Sequence, residues 1–242
     1  MTERATRDHC IRCGECCMGS SPTLQMADVS LVHDGLIEKK ALYTVRAGEL
    51  VMDNINGRLI ATDTEFIKVR EKEGGRACCF YEKDTRACGI YESRPIQCRA
   101  LACWDETEFM KVYARPKLAR RDIVRDPGLL KLMKAHDETC DYGELGRRVK
   151  AIPEGGDAAV EAVLKLLKFD HDLRTLAERK LGMDPREMDF FFGRSLSATI
   201  PMFGLRVVEK PDGTFFLTVA DPPGKTEASA SCGPTGERPR KE

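Results

Sequence analysis

The hydrophobic positions in the first half of the chain predict short elements. Met26, Val29 and Val32 recur at helical spacing, and Gly35 follows as an end signal. Further on, apolar and polar side chains alternate, and a glycine pair at 74–75 can turn the chain. The predicted elements are a helix over residues 24–36, a hairpin of residues 65–70 and 77–81 whose second strand carries Cys78, and a helix over residues 105–113.

The second half of the chain has mostly helical patterns. Asp126-Pro127 is a helix-opening pair, because proline is tolerated at the first helical position. Residues 153–156 break the pattern, and Gly182 is a helix-ending signal. The predicted elements are a helix opened by Asp126-Pro127, a long helix over residues 157–181, a short helix over residues 184–193, and a hairpin within residues 205–219 that turns at Pro211-Asp212-Gly213.

These elements predict an α+β fold in two parts. Residues 1–115 are expected to form a cysteine-cluster module with a hairpin and short helices. Residues 116–221 are expected to form a mostly helical segment with a terminal hairpin. Residues 222–242 contain no large apolar side chain, which is typical of a disordered tail. Cys232 in that tail is expected to be a bystander thiol.

The charge of the chain disfavours two kinds of partner. Lysine and arginine together number 39, as do aspartate and glutamate, so no overall field attracts nucleic acid or an anionic membrane. One basic run is expected to be a solvated linker, because no aromatic side chains are interleaved with it. We expect no nucleic-acid partner and no membrane partner, whereas an unknown protein partner stays open. The basic run consists of Arg115, Lys117, Arg120, Arg121 and Arg125.

The N-terminal sequence and the cysteine count indicate the compartment. The segment MTERATRDH alternates in charge and has no apolar stretch for a secretory signal, and no later stretch is long enough to span a membrane. The odd total of 11 cysteines also disagrees with a fully paired disulfide framework. We therefore expect a cytoplasmic protein.

Nine of the cysteines fall into two groups that predict a metal site. HCIRCGECCMG, residues 9–19, contains four of them, and residues 77–103 contain five more about sixty positions further on. Thiolates are soft metal ligands, and Cys-x-x-Cys pairs let one turn present two sulfurs to one ion. A metal that joined both groups would also stabilise the fold.

The spacing leaves the identity of the metal open. Cys10-x2-Cys13-x2-Cys16 is the spacing by which a loop supplies three ligands to a cubane iron–sulfur cluster, and this favours iron. Cys-x2-Cys with a remote second pair also suits tetrahedral zinc. Cys17 adjoins Cys16, and neighbouring side chains on an extended backbone point to opposite faces. That pair favours two centres, or one ligand beside a redox-active thiol.

The two cysteine segments together resemble a known family. HCIRCGECC and CCFYEKDTRACGIYESRPIQCR are similar to the CxxCxxCC family of YkgJ-like proteins, which are described as zinc- or iron-chelating and often labelled iron–sulfur oxidoreductases. The resemblance covers about residues 7–105 and implies metal binding. It places Cys78 at the motif position and leaves Cys79 as an extra, possible ligand. The predicted metal ligands are Cys10, Cys13, Cys16, Cys17, Cys78, Cys88, Cys98 and Cys103.

The residues around Cys98 have predicted roles of their own. Ser93 is expected to cap a helix with Pro95 in its first turn, which places Cys98 one turn in. Arg94 and Arg99 flank this cysteine and are predicted to bind the cofactor, because guanidinium groups offset the negative charge of clustered thiolates.

Several other side chains are expected to pack rather than bind. Free cysteines are commonly buried, so Cys140 is expected to be a buried thiol, although it is also a candidate additional ligand. Ile90 and Tyr91 are expected to pack in the core, as are Trp104 and Phe109, which could instead shield the metal from water. His136 and His171, on the predicted helices, are expected to be surface or core residues rather than ligands.

Three functions follow from the cysteine groups. The first is a redox or electron-transfer protein with an iron–sulfur cluster. The second is a structural zinc module that organises an interaction surface without catalysis, and the third is metal chelation or delivery. The sequence lacks a glycine-rich nucleotide loop, which disfavours a self-contained oxidoreductase.

Overall fold

The computed structural model describes residues 10–53, 57–209 and 215–220. The fold is α+β, which confirms the predicted class. Within these ranges, every helix is too short or too polar to cross a membrane. The helices are α1 (Glu15–Gly19), α2 (Val29–His33), α3 (Ile96–Ala100), α4 (Thr107–Tyr113), α5 (Arg120–Ile123), α6 (Pro127–Thr139), α7 (Tyr142–Lys150), α8 (Ile152–Leu181), α9 (Met188–Phe192) and α10 (Leu196–Thr199).

The described strands form four separate antiparallel pairs, in which β1 pairs with β4, β2 with β3, β5 with β6 and β7 with β8. The strands are β1 (Leu42–Val45), β2 (Leu50–Asp53), β3 (Arg58–Ala61), β4 (Phe66–Val69), β5 (Tyr81–Glu82), β6 (Ala87–Cys88), β7 (Leu205–Glu209) and β8 (Phe215–Val219).

The strand β4 confirms the alternating pattern, but the predicted hairpin partner is wrong. Residues 77–81 do not form its second strand and contact this region through an isolated bridge between Glu71 and Cys78. The partner of β4 is β1 along its whole length. Strand β1 places buried Leu42 and Thr44 opposite buried Val69 and Ile67. Residues 77–81 meet the chain just after β4 instead, where the N–H of Cys79 donates to the carbonyl of Arg70 at 2.9 Å.

The helix predicted over residues 24–36 is shorter in the structure. Leu24 is extended, because its N–H donates to the carbonyl of Ile67 at 2.9 Å and its carbonyl accepts from the N–H of Leu118 at 2.9 Å. A 3₁₀ turn at Met26–Asp28 and then α2 follow. Of the periodic positions, Val32 is buried and Val29 half-buried, but Met26 is 41% exposed, so the apolar periodicity predicts the buried face only in part and misses the start of the helix. The helix predicted over residues 105–113 is confirmed as α4.

The main hydrophobic core contains residues from both predicted segments. Leu24 and Ile67 are fully buried together with Leu118 and Phe190. The Thr44 hydroxyl also donates to the carbonyl of Phe190 at 2.6 Å, which joins β1 to α9. The boundary at residue 115 stays a prediction. A second core lies between α7, α8 and α10 and includes Leu145, Val163 and Leu196.

The helical half agrees with the end signals in the sequence. The Asp126 carboxylate accepts from the N–H of Leu129 at 2.7 Å and so caps α6. Gly156 has φ 54° and interrupts α8, and Gly182 has φ 65° and ends it. The hairpin of β7 and β8 is also confirmed. The predicted turn at 211–213 and the predicted tail with Cys232 lie outside the described residues.

One residue of the basic run contradicts its predicted place in a solvated linker. Arg120 is only 2% exposed. Its guanidinium donates to the Glu65 carboxylate, to Asp137 Oδ2 at 2.6 Å and to the carbonyl of Phe191 at 2.6 Å. Two carboxylates and a carbonyl compensate its burial, which is how a charge becomes tolerable inside a protein. The neighbouring Arg121 is exposed, as predicted.

Candidate metal centre

All eight predicted cysteine ligands line one open cleft of about 1840 Å³. The two segments that contribute them are far apart in the sequence and meet here through the backbone, because the N–H of Cys78 donates to the carbonyl of Cys17 at 2.7 Å. Cys78 is buried and Cys98 half-buried, whereas Cys10 and Cys103 are exposed. Cys79 and Cys140 are not among the lining residues.

The loop that carries the first cysteines depends on Gly14. This residue has φ +82°, a left-handed conformation that disfavours side chains. A Cβ atom at this position would also overlap the hydroxyl of Tyr81, which is 3% exposed and packs against the loop. The close approach of Gly14 to Tyr81 therefore places the loop over the second cysteine segment.

Gly14→Ala is expected to lower the bound metal several-fold. The new methyl group forces either Tyr81 or the loop to move, at a cost of about 2 kcal/mol or more. Metal analysis of the purified variant measures this effect. Gly19→Ala is the matched control, because a Cβ there meets no atom within 4 Å. Equal metal content in both variants would show that the tight Gly14 contact does not position the cysteines.

The second segment positions its cysteines on a hairpin and a short helix. Cys88 ends β6 and pairs with Tyr81. Cys98 lies on α3, whose first N–H, at Ile96, donates to Asp28 Oδ1 at 2.8 Å. The predicted capping by Ser93 is therefore wrong, because a carboxylate 68 positions away in the sequence supplies the cap. Cys98 still lies within the first turn of its helix.

Cys16 and Cys17 are not on the extended backbone that the sequence suggested. Both lie on α1, and their Sγ atoms are 3.9 Å apart. A hydrogen bond from the Cys17 thiol lowers the pKa of Cys16 to about 6, while the same contact raises the pKa of Cys17. The contact therefore favours one thiolate beside one thiol in this pair.

The other sulfurs repel negative charge on one another. Burial raises the pKa of Cys98, and the sulfurs of Cys78, Cys16 and Cys88 raise it further. Burial also raises the pKa of Cys88, to which Cys78 and Cys16 contribute. These four cysteines are thus close enough to interact electrostatically. A cation among them would relieve the repulsion and favour the thiolates.

Arginine and tyrosine side chains form one wall of the cleft. The guanidinium groups of Arg12 and Arg94 lie 4.0 and 3.8 Å from the ring centre of Tyr91. Burial alone would lower the pKa of Arg94. Tyr91 and the sulfurs of Cys10 and Cys98 together have a larger effect in the opposite direction, so the pKa of Arg94 is raised. Sequence reasoning missed Arg12, because only the fold brings it to Tyr91.

Arg99 lines the same cleft but has a different contact. Its Nε donates to the carbonyl of Arg94 at 2.8 Å. Burial raises the pKa of Asp28, and the charge of Arg99 lowers that pKa by a smaller amount. Of the two arginines predicted to bind the cofactor, Arg94 is therefore the one with electrostatic contact to cysteine sulfurs.

Apolar side chains form part of the rim of the cleft. Trp104 is 40% exposed there, so the prediction that it packs in the core is wrong. Phe109 is half-buried and lines the same cleft, with its ring centre 6.0 Å from that of Tyr113 and the ring planes tilted by 31°. The β2–β3 hairpin, which sequence analysis did not predict, contributes exposed Met52 to the same rim. Trp104 and Met52 thus give the rim two exposed apolar side chains.

A cleft with this many thiols defines a class of protein domain that binds soft or borderline metal ions. Residues 9–116 match the family model CxxCxxCC, described as "Putative zinc- or iron-chelating domain". The family recognised from the sequence is therefore confirmed for this segment, and zinc or iron agrees with the predicted cofactor. The match leaves residues 117–242 outside it.

The other comparisons add little about function. An uncharacterized protein of Methanocaldococcus jannaschii is 30% identical over 91 residues, which are 38% of this chain and 42% of that protein. The chain therefore spans less than half the length of this relative. No solved structure matches the chain.

Proposed function

We propose that the cysteine cleft holds an iron–sulfur cluster and that the protein has a redox or electron-transfer role. The convergence of eight cysteines from two distant segments on one cleft carries this proposal. A cubane cluster and a tetrahedral zinc ion each use four ligands, so the thiol count suits both, but the spacing of Cys10, Cys13 and Cys16 is the one that favours a cluster. The cleft volume of about 1840 Å³ also leaves room for a cluster.

The surroundings of the cleft suit a charged cluster near the surface. The thiolate ligands of the cluster, which uses four, would come from among the eight cysteines Cys10, Cys13, Cys16, Cys17, Cys78, Cys88, Cys98 and Cys103. The positive charge of Arg94 would offset part of their negative charge, since Arg94 already interacts with Cys10 and Cys98. A bound cluster supplies one-electron chemistry, and its potential depends on nearby charge, hydrogen bonds and exposure. The cytoplasmic location stays a prediction.

A structural zinc site is the second candidate, and one distance favours it. The Sγ atoms of Cys16 and Cys17 are 3.9 Å apart. Two sulfurs of a tetrahedral zinc site with Zn–S distances of about 2.3 Å lie about 3.8 Å apart. In this alternative the protein is an interaction or metal-delivery module, and the apolar rim is its contact surface.

Arg94→Gln is expected to make the reduction potential of the cluster more negative, by on the order of 50 mV. Such a shift equals about a tenfold change in a one-electron equilibrium. Loss of the positive charge favours the oxidised cluster, because reduction adds negative charge. A redox titration followed by electron paramagnetic resonance measures the shift.

Arg99→Gln removes the same charge and is the matched control, because Arg99 Nε donates to the Arg94 carbonyl at 2.8 Å. Its potential should stay closer to the wild-type value. Equal shifts in both variants would contradict the specific role of Arg94. A colourless protein without a reducible signal would contradict the redox proposal and favour zinc.

A further inference from the structure

A second group of metal-ligating side chains lies in the helical half, outside the cysteine cleft. His136 and Cys140 are 0% exposed, and Asp170 is 2% exposed. One ligand atom from each of these side chains lies within 4.8 Å of the other two. His136 Nε2 is 2.7 Å from Asp170 Oδ1.

The backbone explains why these three side chains meet. His136 lies on α6, and Cys140 follows four positions later as the residue that ends it, so the two face the same side. Asp170 comes from α8, which packs against α6. Imidazole, thiolate and carboxylate are the three ligand types that zinc accepts in proteins. The set therefore has the right chemistry for a borderline divalent ion.

His136 is placed between two carboxylates. Its Nε2 contacts Asp170, and its Nδ1 is 3.6 Å from Asp137 Oδ1. Both Nδ1 and Oδ1 are buried and lack a hydrogen-bond partner within the described part of the chain. A neutral imidazole that donates through Nε2 would direct its lone pair at Asp137. Arg46 Nη1 lies 3.7 Å from Asp137 Oδ1, but His136 Nδ1 and Asp137 Oδ1 themselves stay without a hydrogen bond within the described residues.

A metal ion on Nε2 satisfies these unpaired atoms. It fixes the ring proton on Nδ1, which can then donate to Asp137 after a small movement. Histidine ligands of metals ordinarily donate their other N–H to a carboxylate in this way. The orphaned pair of His136 and Asp137 is therefore an observation independent of the three-ligand set.

The remaining contacts hold Asp170 in place. Its Oδ1 accepts from Arg174 Nε at 2.9 Å, and its Oδ2 accepts from the N–H of Leu196 at 2.8 Å. Such contacts orient a ligating carboxylate. Arg46 donates to the carbonyl of Cys140 at 3.0 Å. Burial and the charge of Asp170 raise the pKa of Cys140 to about 12 against the smaller, opposite effect of Arg46, so the thiolate needs a bound cation to form. The thiolate and the carboxylate together balance the charge of a divalent ion.

We propose that His136, Cys140 and Asp170 form a second metal site, which binds a zinc-type divalent ion and fastens α6 to α8. Three protein ligands leave one tetrahedral position for water. The site is separate from the cysteine cleft, which neither Cys140 nor His136 lines. Its occupancy is therefore independent of which metal the cleft holds.

Metal analysis of matched variants tests this site. Zinc and iron per chain are measured in the wild-type protein and in His136→Gln, Cys140→Ser and His171→Gln, after equilibration with zinc. His171→Gln is the control, because His171 is exposed and lies outside the site. We expect His136→Gln and Cys140→Ser to lose one equivalent of zinc, whereas His171→Gln keeps it. Equal zinc in all four proteins would overturn the proposal.

Two further measurements separate this result from other failures. Cys13→Ser alters the cleft alone and should keep the zinc at His136, so the proposed function and this site can fail independently. If the His136 and Cys140 variants do not fold, anomalous diffraction at the zinc edge from wild-type crystals shows whether zinc occupies the site. A peak between His136 Nε2 and Cys140 Sγ is expected, and the absence of that peak would overturn the site.

Discussion

Cys98→Ser is expected to release the metal from the cleft and to destabilise the protein strongly. Cys98 is central among the interacting sulfurs, since Cys78, Cys16 and Cys88 all act on it. Metal binding contributes to folding, so its loss should cost about 5 kcal/mol or more. For a chain of this size, that cost corresponds to a fall in melting temperature of about 10 °C or more. Metal analysis and thermal unfolding under anaerobic conditions measure both effects.

Cys79→Ser is the matched control for this variant. Cys79 lies in the same segment and is partly buried, but it does not line the cleft. The Cys79→Ser variant should therefore keep the metal content of the wild-type protein. Full metal content in Cys98→Ser would remove Cys98 from the site. Loss of only part of the metal would show that the cleft holds two centres.

Arg120→Met is expected to destabilise the fold by about 3 kcal/mol. The substitution leaves Glu65 and Asp137 without their buried partner, and breaking a buried ion pair costs about 3–5 kcal/mol. The side chains of these carboxylates are 26% and 36% exposed, so water compensates part of the loss and the lower end applies. Urea unfolding of the metal-loaded protein measures the difference.

The neighbouring residue provides the control for this prediction. Arg121 is exposed on the same helix, so Arg121→Met should change the free energy of unfolding by less than about 0.5 kcal/mol. A similar cost for both variants would mean that loss of charge, rather than the buried contacts of Arg120, sets the stability.

Local signals in the sequence predicted much of the helical half. Asp126 caps α6 and Gly182 ends α8, because both act on backbone groups within a few residues of themselves. The cysteine set was also readable, since all eight predicted ligands line the cleft. Their assignment as metal ligands stays a prediction.

The errors arise where distant segments decide the outcome. The partner of β4 is β1, more than twenty positions earlier, and no local turn signal encodes that pairing. Asp28 rather than Ser93 caps α3 for the same reason. Arg120 looks like a surface residue in the sequence, because Glu65 and Asp137 approach it only in the folded chain.

Metal and sulfide analysis of the anaerobically purified protein tests the central claim most directly. Iron, acid-labile sulfide and zinc are measured per chain, together with the visible absorption spectrum. The proposed iron–sulfur cluster predicts iron and sulfide in matched amounts and a brown protein. A colourless protein that contains zinc but no iron or sulfide would contradict the cluster, and a protein whose cleft binds neither metal would contradict metal binding by these cysteines.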